Sequence, residues 1–86
     1  MALGMNDAMT HNFMGIALGN LGQVQEAVAA YRKALEFKKD YHQARLNLSF
    51  ALLKVGQTEE AKKEFARLCQ QNARLCEQYR QYFPQQ

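Results

Sequence analysis

One phrase occurs twice in this chain, and its two copies stand in fixed register. The segment LGQVQEAVAAY at residues 21–31 returns as VGQTEEAKKEF at residues 55–65, which is 34 residues later. The same shift superimposes identical residues, namely Ala17 on Ala51, Leu18 on Leu52, Gly22 on Gly56, Gln23 on Gln57, Glu26 on Glu60 and Ala27 on Ala61. A period of this length is typical of a structural unit that stacks on a copy of itself.

The spacing of apolar residues predicts an all-α chain. Apolar residues recur at helical intervals, and no stretch alternates as a half-buried strand would. The predicted helices cover residues 7–21 (or 10–21), 23–37, 41–55, 58–71 and 73–83. Gly22 and Gly56 predict tight turns, while Asp40 and Thr58 predict N-caps, with Gln43 positioned to complete a capping box with Asp40. Because the connections are short, neighbouring helices are expected to form antiparallel hairpins.

Within each predicted hairpin, particular residues carry a family motif. The motif positions are His11, Met14, Gly15, Leu18, Ala27 and Tyr31 in the first copy, and Arg45, Leu48, Ser49, Leu52, Ala61 and Phe65 in the second. This pattern resembles the tetratricopeptide repeat family. His11 and Arg45 stand where the motif has a large aromatic residue, and Lys39 and Ala73 stand where it often has proline.

The resemblance implies a tetratricopeptide-type α-α superhelix, or solenoid. Its two helix-turn-helix repeats would cover residues 8–41 and 42–75, with a capping helix at 73–83, in a single domain over residues 1–86. Small residues at the helix crossings allow two backbones to approach closely. Each hairpin keeps an uncovered apolar side that the next hairpin buries, so one copy is not expected to fold alone.

Composition and charge exclude several function classes. The chain has 86 residues and a formal charge of +3, with 11 Lys and Arg scattered among 8 Asp and Glu. Such scatter is typical of solvated helix faces and disfavours a nucleic-acid interface, which needs its basic residues on one face. No apolar run approaches the roughly 20 residues that span a bilayer. We find no nucleophile with a base, no paired catalytic carboxylates and no phosphate loop, so we predict no enzyme and no cofactor.

Two cysteines and two histidines offer a further kind of site. Cys69, Cys76, His11 and His42 do not have the close ligand spacing of structural zinc sites, so no metal site is predicted. We expect the cysteines to be small buried thiols at a helix junction, with an intramolecular disulfide as the alternative. The start of the chain lacks the pattern of a signal peptide, but the compartment stays open, with the cytoplasm slightly favoured. Paired cysteines would instead indicate the periplasm or another oxidising compartment.

The resemblance also implies where a ligand would bind. In this family the concave groove formed by the first helix of each repeat binds a peptide or helix of a partner protein. The groove positions in this sequence are Met9, Asn12, Ile16, Asn20, Gln43, Leu46, Asn47, Phe50, Leu53 and Lys54. The apolar members favour an apolar side chain or an amphipathic helix, and the amides are suited to hydrogen-bond the ligand backbone. We therefore predict a non-catalytic scaffold or adaptor module.

Several alternatives remain open at this point. Leu46, Phe50 and Leu53 form a second apolar face on the third helix, opposite its core face. A homodimer, other repeats of a longer array, or the chain's own Met1, Leu3 and Met5 would each cover it. If the face is free, replacing Phe50 by Glu should leave the fold nearly intact. An RNA-binding helical repeat is a remote third reading, because the groove is apolar where charge and base stacking are required.

A carboxylate clamp, which some members of the family use to hold a C-terminal carboxylate, is not predicted. Asn12 and Ile16 occupy the first-helix positions where the clamp needs Lys and Asn, and Glu77 and Gln81 stand in the capping helix where it needs basic residues. Only Asn47 matches. An anion would therefore meet carbon and a like charge instead of paired donors.

Overall fold

The computed structural model describes residues 4–83, with side chains from Asp7 to Phe83. These residues form five α-helices and a short 3-10 helix: α1 (Gly4–Asn20), α2 (Val24–Phe37), α3 (His42–Lys54), α4 (Thr58–Gln71), α5 (Ala73–Tyr79) and the 3-10 helix Arg80–Tyr82. Helices α1 and α2 form one hairpin and α3 and α4 the next, while α2 packs on α3 and α5 packs on α4. The molecule measures 44 × 28 × 17 Å along its principal axes. The predicted all-α repeat fold is confirmed.

The turn of each hairpin has the same geometry. Gly22 and Gly56 adopt positive φ angles of 86° and 84°, a conformation that glycine enters without a Cβ penalty. The amide after each glycine donates to the carbonyl five residues back, Gln23 to Leu18 at 2.8 Å and Gln57 to Leu52 at 2.9 Å. Each glycine amide also donates to the carbonyl three residues back at 3.0 Å. Both helices thus end in Schellman motifs, and the sequence repeat is a repeat of backbone structure.

In the first hairpin a small residue of α1 is covered by an aromatic ring of α2. A Cβ added at Gly15 would lie 2.5 Å from Cε1 of Tyr31, so the ring rests directly on the backbone of α1. Ser49 holds the equivalent place in α3, where it is fully buried. Its Oγ donates to the carbonyl of Arg45 at 2.9 Å, which satisfies the hydroxyl inside the core.

The core runs continuously from the first hairpin to the C-terminal helix. It contains Ala27, Val28, Tyr31, Leu46, Leu48, Ala51, Leu52, Ala61, Phe65, Leu68, Cys76 and Phe83. The rings of Phe65 and Phe83 stack with centroids 4.0 Å apart. This stack attaches the end of the chain to α4.

A buried ion pair joins α3 to α4. Nη1 of Arg45 lies 2.7 Å from Oε1 of Glu64, and the two side chains are only 9% and 8% exposed. Nη2 of Arg45 also donates to the carbonyl of Lys39 at 2.9 Å. Arg32 and Arg67 approach the other carboxylate oxygen at 3.9 and 3.7 Å. At the position where the motif has a large aromatic residue, Arg45 therefore forms a buried salt bridge instead.

Two predicted helix caps are wrong. Tyr41, not Asp40, is the N-cap of α3, and it makes no side-chain capping bond. The turn before α3 is instead held by the bond from Arg45 to the Lys39 carbonyl. Thr58 is the first residue of α4 and Gln57 its N-cap. A side-chain cap occurs at α5, where Oδ1 of Asn72 accepts the amide of Leu75 at 3.0 Å.

The C-terminal region differs from its prediction in two respects. The α-helix ends at Tyr79 and continues as a 3-10 turn, whereas it was predicted to reach Phe83. Cys69 and Cys76 form a disulfide bond between α4 and α5, so the expectation of free buried thiols is wrong and the alternative is right. The disulfide attaches α5 to α4, and the Phe65–Phe83 stack attaches the end of the chain to α4.

Candidate functional site

A cleft of about 270 Å³ opens between α1 and α3. These two helices touch only briefly, since α2 packs against both of them. The cleft is lined by Ile16, Gly19, Asn20, Val24, Ala27, Tyr31, Asn47, Phe50, Ala51 and Lys54. Its walls therefore come from the first helix of each hairpin, and its floor comes from α2.

Half of the predicted groove residues meet in this cleft. Ile16 and Asn20 lie on the α1 wall, and Asn47, Phe50 and Lys54 lie on the α3 wall. Successive positions on each wall are three or four residues apart, which brings them to one face of a helix. The arrangement combines an apolar centre with amide groups and one ammonium group.

Asn12 supports the cleft from behind its surface. It is buried at 3% exposure, and its Oδ1 accepts a hydrogen bond from Nδ2 of Asn47 at 3.1 Å. This bond joins α1 to α3 across 35 positions of sequence. Asn47 keeps its own carbonyl oxygen as an acceptor for an N–H group in the cleft. Asn12 thus orients Asn47 and does not itself line the cleft.

Four other predicted residues lie away from the cleft. Leu46 is buried at 2% exposure, and the half-buried Leu53 packs against the core. Met9 lines a separate small cavity with Ala8, Lys38 and Tyr41, and Gln43 is an exposed residue at the start of α3. Leu46 does not form the open apolar face that the helical wheel predicted, because the core includes it.

Phe50 is covered by the chain itself. Its ring lies 5.9 Å from those of Tyr79 and Tyr82 and 5.1 Å from that of Phe83. The covering element is therefore the C-terminal region, whereas Met1 and Leu3, proposed above for this place, lie outside the described residues, as does the side chain of Met5. The expectation that Phe50→Glu would leave the fold intact is withdrawn, because the charge would enter an aromatic cluster.

Sequence reasoning missed two contributions to this region. Val24, Ala27 and Tyr31 of α2 form the floor of the cleft, although no role was predicted for Val24, and Ala27 and Tyr31 were named only as motif positions. Tyr79, Tyr82 and Phe83 form the aromatic cover of Phe50. Their spacing of three and four residues on the last predicted helix was a usable signal, since such residues share one helix face.

The cleft has a simple electrostatic character. Among the residues that line it, Lys54 is the one that carries a charge. Burial raises the pKa of the Tyr31 phenol above its usual value of 10.0, because desolvation disfavours the phenolate. The floor is therefore uncharged at neutral pH, and the only formal charge that a ligand meets is positive.

Comparison with known sequences now decides the family. Residues 21–84 match the family described as Tetratricopeptide repeat, which is well over half of the chain. The chain belongs to the tetratricopeptide repeat family. The match covers α2 to α5 and the 3-10 helix, and the hairpin formed by α1 and α2 repeats the same turn geometry.

Several curated proteins are similar to part of this tetratricopeptide repeat chain. The peroxisomal targeting signal receptors of Kluyveromyces lactis and Candida albicans are 38% and 39% identical to it over 56 residues, which is 65% of this chain and 10% of each receptor. An uncharacterised protein of Methanocaldococcus jannaschii is 38% identical over 53 residues, 62% of each chain. The matched segment thus spans about a tenth of the length of the receptors. No solved structure gives a significant match.

The family match and the similarity to the receptors support one general role. Tetratricopeptide repeat domains and the receptors are generally non-catalytic, and the chain is a protein-interaction module. Within the part of the chain that the structure describes, no three His, Cys, Asp or Glu side chains are grouped to hold a metal ion. None of the helices in residues 4–83 is long and apolar enough to cross a membrane.

Proposed function

We propose that this tetratricopeptide repeat chain binds a segment of a partner protein in the cleft between α1 and α3. The carrying observation is that Ile16, Asn20, Asn47 and Lys54 converge on one cleft although they come from separate helices. Concave sites of this kind combine apolar area with a few placed polar groups. The bound segment is an extended peptide or one turn of helix, as the small volume of the cleft allows.

The lining suggests the chemistry of that segment. An apolar side chain packs on Ile16, which is 38% exposed, and reaches the edge of Phe50. Backbone N–H groups of the segment donate to the oriented carbonyl oxygen of Asn47. An acidic side chain pairs with Lys54 at one end of the cleft, since a cation without a carboxylate partner in the cleft attracts an anionic group.

Peptide selection on the immobilised chain tests this proposal. Peptides selected from a random library are titrated calorimetrically against the wild type and Ile16→Glu. We expect Ile16→Glu to weaken binding at least about tenfold, because it places a charge where an apolar side chain would be buried. Its melting temperature should stay unchanged, since Ile16 lies at the surface.

A matched control separates this effect from a general change in charge. Lys63→Glu alters an exposed residue of α4 that is remote from the cleft lining, and it should leave binding unchanged. Lys54→Glu should weaken acidic peptides more than neutral ones. If the selected peptides bind Ile16→Glu as tightly as the wild type, the cleft is not their site and the proposal fails.

Self-association through the groove remains the alternative prediction. It relied on Leu46, Phe50 and Leu53 as a free apolar stripe. Leu46 is now in the core and Phe50 is partly covered by α5 and the 3-10 turn. Less apolar area is left on this face for a homodimer, so the same residues favour a short ligand.

A further inference from the structure

A second surface of the molecule carries apolar residues that the cleft does not use. Thr10, Met14 and Ala17 of α1 and Leu21, the turn residue that follows the helix, are spaced at intervals of four, three and four, and so form one stripe. We call these four residues the α1 stripe. All four are exposed, Met14 at 47% and Leu21 at 73%. Large apolar side chains clustered at the surface indicate an interaction site.

The internal repeat provides a template for this surface. Adding 34 to each position of the α1 stripe gives Ala44, Leu48 and Ala51 of α3 and its C-cap residue Val55. Ala44, Leu48 and Ala51 are buried and Val55 is half-buried. Helix α2 covers this stripe, for Leu35 borders the same cavity as Leu48, and Val24 borders the same cavities as Ala51 and Val55. The equivalent residues of the two repeats thus have different surroundings. Those of the second repeat pack against α2, whereas those of the first repeat are exposed.

The covering helix has a definite pattern. Val24, Val28, Tyr31 and Leu35 of α2 recur at intervals of four, three and four, and they pack into the core. The α2 stripe thus consists of valine, tyrosine and leucine. It faces two alanines of α3, Ala44 and Ala51, that alternate with the larger Leu48 and Val55. A helix that fits the α1 stripe needs the same pattern, because Met14, Ala17 and Leu21 match the receiving residues in size and polarity.

A second copy of this chain has no suitable helix free. The equivalent pattern on α4 is Thr58, Lys62, Phe65 and Cys69. Phe83 stacks on Phe65, and Cys69 is bonded to Cys76 of α5. The stripe of α2 is already engaged by α3 and, through the ring of Tyr31, by Gly15 of α1. Among the described residues, both helix faces that carry this pattern, on α2 and on α4, therefore already pack against other parts of the chain.

We propose that the α1 stripe docks an amphipathic helix of a partner protein with large apolar residues at the spacing found in α2. The docked helix continues, in another polypeptide, the packing that α2 makes with α3. This site lies on the outer face of α1 and is separate from the cleft, whose α1 wall is formed by Ile16, Gly19 and Asn20.

The sequence of α2 itself is the probe. A capped synthetic peptide with the sequence QVQEAVAAYRKALEFK of residues 23–38 is titrated into the ¹⁵N-labelled full chain. We expect amide shifts on α1 around Met14 and Leu21, with a dissociation constant on the order of 100 μM because the peptide must fold as it binds. Met14→Glu should weaken this binding by about tenfold or more.

Two controls define the surface. In the full chain, Ala29→Glu places the same charge on an exposed residue of α2. The equivalent residue of the second repeat is Lys63, so this position accepts a charged side chain. Binding of the peptide should therefore be unchanged. A peptide that carries Val28→Glu should not bind, because the charge would lie in its apolar stripe.

Three results would overturn the proposal. The first is the absence of shifts at peptide concentrations of about 1 mM, which excludes even a weak complex. The second is a set of shifts centred on α3, since the peptide would then be replacing α2. The third is sedimentation equilibrium showing a dimer that Met14→Glu dissociates, which would make a second copy the occupant of the stripe.

Discussion

At the scale of single residues, Gly15 leaves the space that the ring of Tyr31 occupies. Gly15 lacks the Cβ that would lie 2.5 Å from the ring of Tyr31. Gly19 is on the same helix one turn later, and a Cβ added there would meet nothing within 4 Å. The two glycines therefore separate the cost of a clash from the effect of glycine on helix propensity.

Gly15→Ala should destabilise the chain by about 1–3 kcal/mol, since the ring of Tyr31 must move away from the backbone of α1. Gly19→Ala should be neutral or stabilising by up to about 1 kcal/mol, because alanine is the better helix former. Urea unfolding of both variants measures the difference. Equal stabilities would mean that Tyr31 does not rest on Gly15.

The buried ion pair gives a second prediction at this scale. Glu64→Ala leaves the Arg45 guanidinium buried without its 2.7 Å partner, and it should cost about 3–5 kcal/mol of unfolding free energy. Glu36→Ala removes an exposed partner of Lys33 at 3.5 Å and should cost no more than about 1 kcal/mol. Similar losses in both variants, measured by denaturant unfolding, would contradict the burial of the pair.

The salt bridge from Arg45 to Glu64 was not predictable from the sequence around Arg45. Its position was recognised as a departure from the motif, but its partner Glu64 is 19 residues away on another helix. Helical periodicity reports which face a residue occupies, not which charge lies across the interface. In contrast, the close approach of the helices at Gly15 was predicted, because small residues recur at the same positions of both repeats.

At the scale of elements, local sequence signals fix the turns of the repeat hairpins, whereas tertiary contacts fix the C-terminal helix. The turns at Gly22 and Gly56 were predicted because only a few residue types tolerate their positive φ angles. Helix α5 has just seven residues before the 3-10 turn, too short to be stable by itself. Tertiary contacts with α4 and Phe50 hold it, and for this reason its end was predicted wrongly.

The disulfide is expected to strengthen this attachment. Replacing both cysteines by serine in Cys69→Ser/Cys76→Ser opens a link between residues separated by 7 positions. It should lower the free energy of unfolding by about 2–3 kcal/mol. Amide exchange in α5 should accelerate more than in α2 or α3. A double variant that is as stable as the wild type, with unchanged exchange in α5, would contradict this role.

The candidate site was predictable only in part, for reasons that belong to the elements. Ile16, Asn20, Asn47 and Lys54 line one cleft, because helical spacing fixes which residues of α1 and α3 lie on the same face, and their role in binding stays a prediction. Leu46 and Phe50 were expected to be open. The cover of Phe50 depends on the course of the chain after Asn72, and the burial of Leu46 depends on how the helices pack. No local pattern in α3 contains that information.

At the scale of the whole molecule, two surfaces follow from one repeat. The cleft between α1 and α3 forms because α2 packs on both helices and leaves their walls apart. The α1 stripe is open because the position that α2 covers on α3 has no covering helix on α1 among the described residues. A peptide in the cleft and a helix on the stripe would contact different sides of α1, so this tetratricopeptide repeat chain would hold two partner segments at once.

The most direct test of the central claim is a crystal structure of the chain bound to a peptide selected as described above. The account predicts that the peptide lies between α1 and α3, with an apolar side chain on Ile16 and a backbone N–H donating to Oδ1 of Asn47. A peptide bound on the outer faces of α2 and α4, with the cleft empty, would contradict it.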